Sequence, residues 1–218
     1  YATYVLGNIG LVGVITLVNV GISLLITPFI PKIIDRFGKK NVFQYCGVFT
    51  VVGGVGLFLA PANMFWLVLV TLAVKGVGAS LINTLMFGLE ADTVEYGEWQ
   101  TGQRSEGATY ALFSFTRKVT QSIGGAVGAW ALAAGGYLAA SSADPNPVQP
   151  DSAIFAIKAT IGLLPAACAL IAMLIFVRYP LDDARFRQIR DETEARKLAA
   201  IAAHHEDPGS FITPDHKV

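Results

Sequence analysis

The sequence predicts an all-α fold that crosses a membrane several times. Three observations carry this reading. Of 218 residues, 53% are hydrophobic and only 15% charged, against about 25% charged in an ordinary soluble domain. Mean hydropathy is +0.53, and the apolar residues gather in runs of roughly the 20 residues that a bilayer-spanning helix needs. Lys and Arg fall in alternate connections between those runs. Backbone polar groups in hydrocarbon must bond internally, and the strict alternation of a barrel strand is absent, so the runs read as helices.

In chain order, residues 1–6 read as the outer end of a helix whose start is missing, and the chain is expected to be a fragment. Full spans are predicted over about 11–31, 41–60, 64–89, 108–139 and 152–178. Pro28 and Pro31 kink the end of the first, and the basic connection Asp35-Arg36-Phe37-Gly38-Lys39-Lys40 follows. Pro61-Ala62-Asn63 makes a short turn, and a charged loop from Glu90 to Gly107 leads into the fourth span. A Pro-rich connection around residues 143–147 leads into the fifth. Residues 1–180 form the transmembrane bundle. Residues 181–218 form a tail with a short amphipathic helix carrying Phe186, Ile189, Leu198 and Ile201, without structure from His204 onward.

Arg36, Lys39, Lys40, Arg104, Arg178, Arg185, Arg187 and Arg190 lie on one side of this topology, and the opposite connections hold no Lys or Arg. The positive-inside bias then places the tail in the cytoplasm. Gly124 and Gly128 have GxxxG-like spacing, read as packing within the molecule. Cys46 and Cys168 sit in separate apolar runs, with no disulfide framework or metal-ligand spacing. No basic, aromatic-interleaved face suits a nucleic acid. There is no nucleophile–base pair, HExxH, P-loop or CxxC, so the chain is expected to be no enzyme and to hold no cofactor or metal.

Charges inside lipid are costly and therefore informative. Lys118 lies about 15 Å along the fourth span at the helical rise. Ser114, Gln121 and Ser122 share its stripe at i−4, i+3 and i+4, and Arg117 is adjacent. This face suits an aqueous cavity that receives an anionic or hydroxyl-rich solute, with a structural ion pair as the alternative. Asn83, mid-span, could bond a sugar hydroxyl or another helix. Lys158 is expected to snorkel outward, while the role of Lys75 stays open. Asp92, Glu95 and Glu98 recur at helical spacing, with Arg104, Glu106 and the Asp35–Arg36 connection as partners. Such pairs could hold an inner gate shut and break on opening; a solvated charged loop is the bland alternative.

Glu90-Ala-Asp-Thr-Val-Glu-Tyr-Gly-Glu-Trp99, Arg104-Ser-Glu-Gly107 and Ser114-Phe-Thr-Arg-Lys118 closely resemble the glycoside–pentoside–hexuronide:cation symporter family, bacterial glucuronide carriers most of all. Asp35–Lys40 resembles the short loop signature of the wider major facilitator superfamily. The resemblance spans about residues 1–200. It implies the C-terminal six-helix half of a twelve-helix fold, from the end of helix 7 to helix 12, in a bacterial cell membrane. It also implies that Lys118 is the helix-11 lysine near the sugar and cation sites, that Ser114, Arg117 and Asn83 are sugar-facing, and that Asp92, Glu95, Glu98 and Arg104 belong to the inner gate. Sugar:cation symport follows as the expected function, with H⁺ or Na⁺ bound mainly by the missing N-terminal half. A non-transporting membrane sensor or scaffold, or a lipid or drug transporter, are the alternatives.

Overall fold

The computed structural model describes residues 1–140, 147–179, 181 and 183–206, and the architecture is all-α. Helix α1 spans Leu11–Ile26 and passes through a 3-10 turn at Thr27–Phe29 into α2, Ile30–Phe37. Pro28 and Pro31 each fall in a first helical turn, where a missing N–H costs least, so the chain continues instead of breaking. Gly38 then separates α2 from α3, Lys39–Leu59, with φ 77° and ψ 152°. Only glycine adopts that region readily.

Helix α4 runs from Phe65 to Thr101 and α5 from Glu106 to Ala134. The predicted charged loop is therefore mostly helix, and only residues 102–105 connect the two. The fifth predicted span divides at Gly162 into α6, Asp151–Ile161, and α7, Leu163–Val177. The tail forms α8, Asp183–Glu206, 24 residues long. His204 and His205 thus lie in helix, while residues 207–218 and the Pro-rich stretch at 141–146 lie outside the described residues. Tyr1–Leu6 form a turn, with the Val5 N–H donating to the Tyr1 carbonyl at 2.8 Å, the spacing found at a helix end.

Among the described residues, four helical segments are long and apolar enough to cross a membrane: Leu11–Phe37, Lys39–Leu59, Phe65–Thr101 and Asp151–Val177. α5, with 29 residues, reaches about 43 Å and is long enough. Arg117, Lys118, Gln121 and its hydroxyl residues leave it less apolar than the other four.

α3 packs between α4 and α7, and α1 lies on α4. One core cluster joins Ile30, Val42, Cys46, Leu81 and Leu85, and a second joins Leu57, Ala60, Val68 and Leu72 toward the other end. α1 and α5 contribute no buried residue. Gly128 of α5 approaches Thr160 of α6, whereas a Cβ at Gly124 or Gly125 would meet open space. Packing within this chain accounts for only one end of that glycine pair. Lys158 donates to the carbonyl of Ala60 at 3.1 Å, closing the end of α3.

Candidate functional site

Two groups of polar residues stand out, one where α4 meets the tail and one on α5. α4 has 37 residues and extends about 55 Å, well beyond a hydrocarbon core of about 30 Å. Its last turns therefore project from the bundle and carry the acids. Asp92, 5% exposed, receives the Lys39 ammonium on both oxygens, at 2.6 and 2.7 Å. Lys39 opens α3, a position where the helix dipole disfavours a cation. The Asp92 carboxylate offsets that by bringing negative charge to the same helix start.

Two turns further on, Glu98 divides its carboxylate between two cations. Oε2 accepts from Arg104 in the α4–α5 connection at 2.8 Å, and Oε1 faces Lys197 of α8 at 2.7 Å. Arg104 also donates to Glu106, the first residue of α5, at 2.6 Å. The Lys197 hydrogen bond, with Arg104 adding to it, holds the Glu98 carboxyl below the usual carboxylate range. The guanidinium carbons of Arg185 and Arg196 lie 5.5 and 6.0 Å from the centre of the Trp99 ring. Its indole N–H donates to Glu192 at 2.7 Å, and Arg196 donates to its backbone carbonyl at 2.9 Å. The Trp99 hydrogen bond, followed by that from Gln188, lowers the Glu192 carboxyl as well. Glu95 has a buried Oε2 without a hydrogen-bond partner and lines a cavity of about 240 Å³ beside Glu98, Arg104 and Lys197.

The structure thus joins Asp92, Glu98, Arg104 and Glu106 to partners and sets Glu95 beside them. Asp35 and Arg36 are exposed at the end of α2, Arg36 lying 5.5 Å from the Phe37 ring. The basic connection reaches the acids through Lys39. The tail is a helix, as its residues suggested, but its docking on the α4 acids was not foreseen: Ile189 is buried, while Leu198 and Ile201 are exposed. The charges of Glu192 and, about one turn later, of the adjacent Arg196 and Lys197 were the usable signal.

Because both carboxyls are depressed, the docking of α8 draws stability from them above the ordinary carboxylate value, about 4.3. It loses that stability as pH falls through the lowered values. Spin labels on the ends of α4 and α8 are expected to move apart on acidification from about pH 6 to about pH 3. In Glu98→Gln they should already be apart near neutrality.

On α5, Lys118 and Arg117 are exposed and Ser114 is half-buried. Lys118 makes no ion pair among the described residues. Arg117 lies 5.8 Å from the Phe87 ring of α4. Arg117 and Gln121 line a cavity of about 360 Å³ between the two helices, with Met86, Phe113, Thr116 and Thr120. Asn83 is one turn before Phe87 on the same side of α4, exposed, and donates to the Ala79 carbonyl at 2.8 Å. Lys118 and Ser114 are outside that cavity lining. The stripe is therefore one helix face, with α4 flanking it on the Arg117 side.

The chain is 40% identical over 198 residues to the glucuronide carrier protein homolog of Escherichia coli (strain K12), covering 90% of this chain and 42% of that protein. It is 35% identical over 190 residues to an uncharacterized symporter of Bacillus subtilis (strain 168), covering 87% and 40%. It is 33% identical over 202 residues to the putative 2,3-dihydroxypropane-1-sulfonate exporter of Escherichia coli (strain K12), covering 92% and 42%. The chain spans about two fifths of the length of these curated relatives. The family described as MFS/sugar transport protein matches residues 1–183. With its long apolar helices, the chain is multi-pass membrane protein, and it belongs to the MFS/sugar transport protein family.

Proposed function

We propose that this chain is the C-terminal part of a secondary transporter that carries a glucuronide or related glycoside together with H⁺ or Na⁺ by alternating access. The observation that carries the reading is the α5 face. Two adjacent cations, Arg117 and Lys118, stand with Ser114 and Gln121 about halfway along a helix that this chain leaves without a single buried residue. A cationic face in a membrane helix needs a wet cavity or a counter-charge. A companion six-helix half, supplied by the rest of a protein more than twice this length, would close that cavity over the sugar and hold the coupling ion. Lys118 and Arg117 would meet the sugar carboxylate, and Asn83 and Gln121 its hydroxyls.

The charge pattern of the connections supports a tail in the cytoplasm of a bacterial cell, below the inner membrane. On that side Asp92–Lys39 and Glu98–Arg104 form the closed inner gate, with Glu95, Glu106, Asp35 and Arg36 around it.

Cells expressing the whole protein are expected to accumulate radiolabelled glucuronide, and to do so only while a proton or sodium gradient is present. Accumulation that survives dissipation of both gradients would remove the symport reading. Sulfonated polyols form a second cargo class, favoured by the name of the sulfonate-exporting relative and by the same cationic pair. Competition of a hydroxypropane sulfonate with labelled glucuronide separates the two classes.

A further inference from the structure

One deep cation takes no part in either polar group. Lys75 is on α4, about 15 Å from the helix start, and its ammonium donates to the backbone carbonyl of Ile161 at 2.6 Å. Ile161 is the last residue of α6, immediately before the break at Gly162. Three residues past Gly162, in the first turn of α7, stands Pro165. Proline has no N–H, and the donor that it lacks is the one a continuous helix would direct at the carbonyl four residues earlier. That carbonyl belongs to Ile161. Within lipid a carbonyl without a donor is costly, and here a lysine from a neighbouring helix supplies the missing hydrogen.

The surroundings show that this contact is built in. A Cβ on Gly54 would lie 2.5 Å from the Gly162 carbonyl oxygen, and a Cβ on Gly162 would lie 2.6 Å from that of Gly54. A Cβ on Gly53 would lie 2.5 Å from the backbone N of Lys75. Gly162 has φ −100° and ψ −66°, a helical-side conformation open to other residues, so contact with α3 is what excludes a side chain there. The backbones of α3, α4 and the broken span thus meet at the level of the break.

We propose that Lys75 is a positioning residue whose ammonium caps the carbonyl freed by Pro165, fixing the bend between α6 and α7 against α3 and α4. The need for Lys75 then exists only because residue 165 is proline. This inference is independent of the transported solute.

The test is a double-mutant cycle in the whole protein, read as the midpoint of heat-induced loss of the folded species in detergent and as the amount recovered from membranes. Lys75→Met is expected to lower the recovered amount severalfold and to shift the midpoint down, while Lys75→Arg retains most of both. Pro165→Ala restores an N–H aimed at Ile161, so adding it to Lys75→Met should recover at least half of the loss. Should Pro165→Ala alone fail to accumulate, Pro165→Gly, which restores the same N–H, takes its place in the cycle. A Lys75→Met protein that melts like the native one overturns the proposal. So does a double variant no better than Lys75→Met with either replacement at 165.

Discussion

Replacing Lys118 by alanine in the whole protein is expected to reduce glucuronide uptake by about ten- to a hundredfold. A hydrogen bond to a charged group contributes about 1.5–3 kcal/mol, and about 1.4 kcal/mol is a tenfold change in affinity. The side chain is exposed on α5 and joins no ion pair among the described residues. Its removal should therefore leave the folded amount unchanged, which separates a contact with solute from a contribution to packing. Competition with an uncharged glycoside sharpens the test. If Lys118 reads the sugar carboxylate, the variant loses its preference for glucuronide over the neutral compound. Native uptake by Lys118→Ala would sink the assignment, and with it the central role given to the α5 face.

The second large effect is expected at Asp92. Asp92→Asn keeps the shape of the side chain and removes the charge that Lys39 holds through two short contacts. The Asp92 side chain is 7% exposed and that of Lys39 27%, so the pair is worth more than a surface bridge, whose usual contribution is about 0–1 kcal/mol. It is worth less than the about 3–5 kcal/mol that breaking a fully buried pair costs. A loss of about 2 kcal/mol lies between those limits and would shift the equilibrium of the proposed gate by more than tenfold. Accumulation against a gradient should fall, and a cysteine placed on the inner ends of α3 and α4 should react faster with a reagent from the tail side. Exchanging the two charges, Lys39→Asp with Asp92→Lys, should return part of the accumulation. Equal reactivity in Asp92→Asn and the native protein would show that the pair holds nothing shut.

Much of this architecture is legible in the residues, and the misses have physical causes. The apolar runs mark the helices because lipid leaves a backbone without a barrel's alternation no other arrangement. The run Glu90–Thr101 looked like a loop because it is dense in charge. Asp92, Glu95 and Glu98 keep helical spacing, however, and their charges are met by Lys39, Arg104 and Lys197, so α4 continues until Gly102. Tyr4 approaches Tyr137 edge-on, 5.6 Å between ring centres, a contact that the sequence does not display. Lys75 could not be assigned because its partner is 86 positions away. The pertinent sign was elsewhere, in a proline near the middle of what read as an uninterrupted span.

The length of α4 has a mechanical outcome. If the helix pivots near Lys75, where its backbone is wedged against Gly53, Thr101 sits about 39 Å from the fulcrum. A rotation of about 10° then sweeps that tip through nearly 7 Å, and Asp92 through about 4 Å, by the same rise. α8, clamped to the tip by Trp99 and Glu98, is carried like a passenger on a crank. The rupture instead falls where the crank passes the stationary α3, at the ammonium of Lys39, which would have to release Asp92 and the Phe186 ring, 5.1 Å away, in one stroke.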